Sequence, residues 1–258
     1  MNALVQRAAH PPLRATVRSV SVVRPFVWLG RGMQDLRRCW RQDAAHAGLM
    51  VALGWVLLFL LGAHPYFLAA ALSGFLLGSP VMTTGIVELS RRLEDGESTT
   101  FNESIAPLER DGPALVQFGV VLAACAAVWF VLSGAFLSAV LNVPPPDFVD
   151  TFYRGFLDTA TRAQLLSYIG VGGLLALIVF VLSVVTVPLI IDQHATTRQA
   201  MRVSVEVVTT NPLAMVVWSA LLVGVTAIGF ATLLFGMIVV IPLLGHATWR
   251  AYRELVVV

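Results

Sequence analysis

The chain has no lysine and few charges of any kind: charged residues make up 12% of its 258 positions, and all 17 basic ones are arginine. Soluble domains carry about 25% charged residues, so a soluble globular enzyme is excluded. The all-arginine usage reads as the codon bias of a GC-rich genome. Cysteine is scarce too. Cys39 and Cys125 have no C-x-x-C partner, which removes disulfide, zinc and redox frameworks. No G-x-S-x-G, H-E-x-x-H or Walker-type glycine loop is present, so no catalytic constellation is expected. What is abundant is apolar surface, at 57% hydrophobic residues and a mean hydropathy of +0.81. These values specify a polytopic membrane protein.

Four stretches contain no Asp, Glu or Arg: residues 44–87, 112–146, 163–191 and 207–249. One helical crossing takes about 20 apolar residues, so the middle two stretches fit one span each and the outer two fit a pair. Gly62-Ala63-His64-Pro65 marks the turn in the first pair, and Gly236 the turn in the last. The reading is all-α, with six transmembrane helices near 45–62, 66–89, 114–141, 165–191, 213–235 and 237–253. Helices are required because an open sheet would leave backbone groups unsatisfied in lipid. Fifteen arginines fall in 1–43, 90–113, 192–211 and after Trp249, against two in 142–164. The positive-inside rule then expects both termini in the cytoplasm.

Residues 1–25 read as a disordered basic tail and 26–43 as an amphipathic interfacial helix, with Phe26, Trp28, Met33 and Trp40 set against Arg31, Arg37, Arg38 and Arg41. The transmembrane domain occupies 44–255. Between the third and fourth spans, Pro144-Pro145-Pro146 followed by Phe148, Phe152, Tyr153 and Phe156 predicts a polyproline turn and a short helix on the outer leaflet. Pro80, Pro188 and Pro242 each stand in the cytoplasmic half of an even-numbered span, with an arginine 10 or 11 residues on. This spacing suggests three hairpins on one plan. Thr83, Thr84 and Thr186 are placed to satisfy carbonyls that the prolines free. Gly74-x-x-x-Gly78 and Gly134-x-x-x-Ser138 read as helix-packing faces.

No span carries a charge at its centre, which counts against ion-coupled transport. His64 and His246 lie at opposite ends of their spans and cannot pair as haem ligands, whereas His46, His194 and His246 share one depth. No cofactor, metal or catalytic residue is expected. The candidate site is a polar cluster at the inner ends of the hairpins: Glu88, Arg91, Asp192, His194, His246 and Arg250. In it, Glu88 or Asp192 is expected to pair with an arginine, and His246 to hydrogen-bond.

Several blocks carry a resemblance. They are Trp28-Leu29-Gly30-Arg31-Gly32-Met33-Gln34-Asp35-Leu36, Glu88 through Glu97, Pro188-Leu189-Ile190-Ile191-Asp192, Asn211-Pro212 to Thr232, and Pro242-Leu243-Leu244-Gly245-His246-Ala247-Thr248-Trp249 on to Arg253. Together they resemble a proteobacterial family of predicted integral membrane proteins of unknown function, over roughly residues 26–255. Met33 departs from the tryptophan that the pattern leads one to expect. The resemblance implies an inner-membrane protein and supplies no catalytic residue. Some relatives bear respiratory-oxidase names, but the intramembrane histidine cluster of a haem-copper core is absent from this sequence.

Two functions fit these features. Neutral spans, slim helix faces and charged cytoplasmic segments suit a non-catalytic accessory or assembly subunit of a larger membrane complex, with lipids and another protein as partners and no nucleic acid. Proline and glycine interruptions in the even spans suit a small transporter or channel for a neutral or lipid-like solute. A lipid-modifying enzyme is a more distant third.

Overall fold

The computed structural model describes residues 15–61, 65–141 and 161–258. Two short strands, β1 (Thr16–Val17) and β2 (Val256–Val257), pair antiparallel with Thr16 opposite Val257. Among the described residues eleven helices run between them: α1 (Arg24–Leu61), α2 (Pro65–Met82), α3 (Thr84–Asp95), α4 (Phe101–Ser104), α5 (Ala106–Arg110), α6 (Gly112–Leu141), α7 (Arg162–Ser183), α8 (Thr186–Gln193), α9 (Thr197–Thr210), α10 (Pro212–Ala231) and α11 (Met237–Leu255). The turn containing His64 and the aromatic segment 142–160 lie outside the described residues.

Among the described residues, five helical segments are long and apolar enough to cross a membrane: α1, α2 with α3, α6, α7 with α8, and α10. The sixth expected span, α11, does not meet that standard, because its second half carries His246, Arg250, Arg253 and Glu254. Yet β1 and β2 are hydrogen-bonded, so the two ends of the chain lie on one side.

Burial is lopsided. Trp28, Phe118, Trp218, Trp249 and Tyr252 are fully buried at the end bearing the termini, where Trp28 and Trp218 meet edge-on at 5.7 Å. Away from that end, Leu49, Phe59, Val131, Leu174 and Val223 face outward. Lipid tails are as apolar as leucine, so such faces suit a bilayer.

The N-terminal segment differs from expectation. Residues 16–17 are strand rather than disordered tail, and Asn211 ties the segment down, accepting from the Val20 N–H at 2.8 Å and donating to the Arg18 carbonyl at 3.0 Å. α1 runs on through 26–43 into the first span, bending at Cys39 (φ −109°, ψ 17°). Its buried stripe is Trp28, Gly32, Asp35, Cys39, Asp43 and His46, whereas Phe26 and Trp40 are exposed. This stripe packs antiparallel on α11. Gly32 permits it: a Cβ there would stand 2.8 Å from the Ala247 backbone nitrogen.

The proline-aligned hairpins are not equivalent in structure. Pro80 precedes the break at Thr83, Pro188 follows the break at 184–185, and Pro242 lies in an unbroken helix. The threonines bond carbonyls beside the helix breaks, not the carbonyls of Leu76 and Val184 that stand four residues before Pro80 and Pro188. The Thr83 hydroxyl donates to the Pro80 carbonyl at 3.0 Å, Thr84 to Val81 at 2.6 Å, and Thr186 to Leu182 at 2.5 Å. At the last turn, the left-handed residues are Leu233 (φ 52°) and Leu234 (φ 70°), not Gly236, whose φ is −63°. Gly236 is small for another reason: a Cβ would lie 2.4 Å from the Thr232 hydroxyl, which accepts the Gly236 N–H.

The segment after α3 is built by local chemistry. Gly96, at φ 71°, closes α3 with its N–H on the Arg92 carbonyl. Thr100 and Glu103 then form a reciprocal capping box at the start of α4. Hydrogen bonds from the Ser98 hydroxyl, and from the Thr100 N–H and hydroxyl, hold the Glu103 carboxyl well below its ordinary value, at about 2. A depressed carboxyl stabilises the fold above its unfolded value of 4.5, and that contribution is lost as pH falls toward 2. Hydrogen exchange at the α4 amides should therefore accelerate over this window, and Glu103→Gln should flatten the dependence. An unchanged profile would mean that the box is not formed.

Candidate functional site

At the end bearing the termini, the helices converge on a layer of buried polar side chains. Asp35, Asp43, His46, Glu88, Ser90, Ser104, Asp111 and His246 are all buried there. Burying so many polar groups is tolerable only if they are paired, because each unpaired one forfeits its solvation.

The pairing resolves into three groups. The first is centred on Glu88, which is completely inaccessible in α3. Arg91 holds it with Nε and Nη2, both at 2.9 Å, and Arg92 Nε adds a third contact at 2.9 Å. These are the neighbours that helical spacings of three and four provide. Arg110 approaches Glu88 at 3.7 Å and also binds Asp111 at 2.9 Å, whose other oxygen meets His194 Nδ1 at 2.7 Å. His194 takes a left-handed backbone (φ 50°) to end α8.

The second group joins α1, α3, α8 and α11. Asp35 receives Arg250 in a bidentate pair at 2.6 and 2.8 Å. Arg250 reaches Glu94 at 3.2 Å, and Glu94 accepts from Trp249 and Arg253, both at 2.9 Å. Asp192 accepts the Tyr252 hydroxyl at 2.5 Å, with Arg253 at 3.9 Å.

The third group is the most enclosed. His246 stands between Asp43 and Ser90, all three with no side-chain exposure or nearly none: Nε2 to Asp43 Oδ2 is 2.9 Å, and Nδ1 to Ser90 Oγ is 2.5 Å. With Nε2–H donating to the carboxylate, Nδ1 of the neutral ring accepts the serine hydroxyl. Beside it, His46 hydrogen-bonds Ser104 at 2.7 Å and stacks on Phe101 at 4.7 Å. Gly85 makes room for that ring, because a Cβ would come within 2.5 Å of it. Asp43 Oδ1 has no hydrogen-bond partner.

Ser90, His246 and Asp43 are the residue types of a hydrolase triad, but the arrangement lacks what the chemistry needs. A nucleophilic serine must be reachable by a carbonyl and flanked by oxyanion donors, and Ser90 is wholly covered. What the trio does here is pin α1, α3 and α11 together at one depth.

The six expected residues thus do not form one cluster. Glu88 and Arg91 pair directly, Arg250 and Asp192 are linked through Glu94 and Arg253, and His194 joins the Glu88 group through Asp111 and Arg110. His246 does hydrogen-bond, but to Asp43 and Ser90, which were not among the six. Since His246 and Asp192 share no partner, the effects of His246→Ala and Asp192→Ala on stability should add to within about 0.3–0.5 kcal/mol. Coupling beyond that, measured by unfolding in detergent, would show a contact that the structure does not contain.

The residues missed are Asp35, Asp43, Ser90, Glu94, Ser104, Asp111 and Tyr252. A signal existed for the first two. Trp28, Gly32, Asp35, Cys39, Asp43 and His46 recur at steps of three and four, the spacing of one helix face. Small and acidic residues held that face, whereas Phe26, Met33 and Trp40 drew attention to another. Among the described residues, no three His, Cys, Asp or Glu side chains converge as a metal ion would require.

The layer and the spans it caps can be set beside known sequences. Residues 67–192 match the model of a family described as Predicted integral membrane protein (DUF2189), whose function is unknown. The matched segment runs from α2 to α8 and contains Glu88, Arg91, Arg92, Arg110, Asp111 and Ser90, with His194 just beyond its end. α1 and α11, which supply Asp43 and His246, lie outside it. Comparison with curated proteins and with solved structures finds no match.

Proposed function

We propose that this chain is a non-catalytic protein of the bacterial inner membrane, with both termini in the cytoplasm, acting as an accessory or assembly subunit of a larger membrane complex. The observation that carries the reading is the cap beyond the spans. It is held by partly buried ion pairs and hydrogen bonds, as in Arg24 and Trp28 on Glu254 and Arg250 on Asp35, yet it turns large apolar side chains outward. Val23 is 62% exposed and Phe26 56%, and Val22 and Val258 are exposed as well. Rigid apolar surface of this kind suits docking to another protein. The arginine excess at this end supports the cytoplasmic placement of both termini.

The test is gentle extraction followed by native mass spectrometry. Another membrane protein at fixed stoichiometry, lost on Phe26→Asp, is the expected result; a lone monomer or homodimer would overturn the reading. Reporter fusions at residues 43, 100, 200 and 258 should all report cytoplasm. A specific feature favours a second reading, transport of a lipid-like solute: a cavity of about 190 Å³ lies between α2, α10 and α11 next to the helix break at Thr83. Uptake of such a solute by vesicles containing only this protein would decide for it.

A further inference from the structure

A cleft of about 490 Å³ opens on the side of the molecule, where α1, the α2–α3 break and the short helices α4 and α5 meet. This falls within the range of about 300–1,000 Å³ that small-molecule sites occupy. Its walls are Leu49, Leu53, Val81, Met82, Ile105 and Leu108, and its polar end is His46 under Phe101. We propose that this cleft holds an acyl chain of an anionic phospholipid from the leaflet at the capped end, which is the inner leaflet on the orientation given above.

Four observations point to that occupant. First, Leu49 and Leu53 belong to the lipid-facing side of α1, so the cleft is continuous with surface that already meets acyl chains. Second, Phe101, Ile105 and Leu108 recur at steps of four and three on α4–α5 and are all exposed, with Glu103 between the first two and Glu109 after the last. That is the pattern of a helix lying in the interface with its apolar face toward the hydrocarbon. The pair therefore roofs the cleft at headgroup level.

Third, Met50 and Met82 line both this cleft and the 190 Å³ cavity between α2, α10 and α11. Methionine is flexible and fills irregular apolar space. A chain entering from the bilayer can follow these two side chains inward, which an ordinary boundary lipid cannot do. Fourth, exposed Arg37, Arg38 and Arg41 stand on α1 one to three turns beyond His46, toward the cap. Arginines near an anionic surface are drawn to its negative potential, which selects phosphatidylglycerol over phosphatidylcholine. The proposal is independent of whether a protein partner docks on the cap.

The experiment uses the full chain in phosphatidylcholine nanodiscs containing a phosphatidylglycerol whose acyl chain carries a photoactivatable diazirine. Cross-links mapped by mass spectrometry should concentrate on Met50, Leu53, Met82 and Leu108. They should saturate with probe, and unlabelled phosphatidylglycerol should compete several-fold better than phosphatidylcholine. Leu53→Trp, which fills the cleft, and Leu108→Glu, which puts a charge on the opposite wall, should each reduce labelling at Met82 several-fold. Val120→Trp, on the exposed face of α6, should leave it unchanged. Even labelling over all lipid-facing helices, equal competition by phosphatidylcholine, or Met82 labelling that survives both cleft variants would overturn the proposal.

Discussion

Alanine at position 246 is expected to cost about 3–5 kcal/mol of stability, the range for leaving a buried charge without its partner. The reason lies in Asp43. Its side chain is wholly buried, Oδ2 depends on His246 Nε2, and Oδ1 has no partner. Without the imidazole the carboxyl would keep its desolvation and lose its one hydrogen bond. The double variant Asp43→Leu with His246→Leu should recover much of that loss, because an apolar pair of similar volume removes the desolvation penalty. Unfolding in detergent measures both. A His246→Ala loss below about 1 kcal/mol, the scale of an ordinary exposed hydrogen bond, would mean that water reaches Asp43.

The second large effect is steric. Gly32→Val should destabilise by at least the about 1–3 kcal/mol of an overpacked core site. A Cβ at Gly32 would meet the Ala247 nitrogen at 2.8 Å and the Leu243 carbonyl oxygen at 2.9 Å. Both are backbone atoms of α11 and cannot turn aside as a side chain can. Gly30, two residues earlier, has nothing within 4 Å of its would-be Cβ. Gly30→Ala should therefore stabilise by about 0.5–1 kcal/mol through helix propensity alone. Two substitutions in one turn with opposite signs test the α1–α11 packing more sharply than either alone. Equal effects would show that α1 does not approach α11 at Gly32.

How far the sequence could be read depends on what each pattern reports. Charge-free stretches report hydration, so the spans were legible, and even the turn before α11 came within a few residues of its place. Thr83, Thr84 and Thr186 were legible as side chains that bond nearby backbone, but their acceptors are the carbonyls of Pro80, Val81 and Leu182 rather than those four residues before each proline. The polar layer was not. Asp43 finds His246, and Asp35 finds Arg250, only through the crossing of two helices from opposite ends of the chain, and no spacing within either helix encodes a partner in the other. Depth was readable, and it placed Glu88, Asp192, His246 and Arg250 at one level. Azimuth was not, and azimuth divides one expected cluster into three. On α1 the apolar face read at Phe26 and Trp40 is exposed, whereas the buried stripe is a different face, on which a glycine and two aspartates allow closer contact.

The strand pair at the two ends has a consequence for the order of events on the ribosome. Thr16 is made 241 residues before Val257, and Arg24 and Trp28 likewise wait for Glu254. The stripe of α1 that packs on α11 therefore stays uncovered until α11 has been made. Long-range pairing of this kind is slow and leaves surface open to misassembly or capture meanwhile. The clasp makes synthesis through α11 a condition of closing the cap: a chain truncated before Glu254 would carry the membrane helices that precede it but could not close its cap.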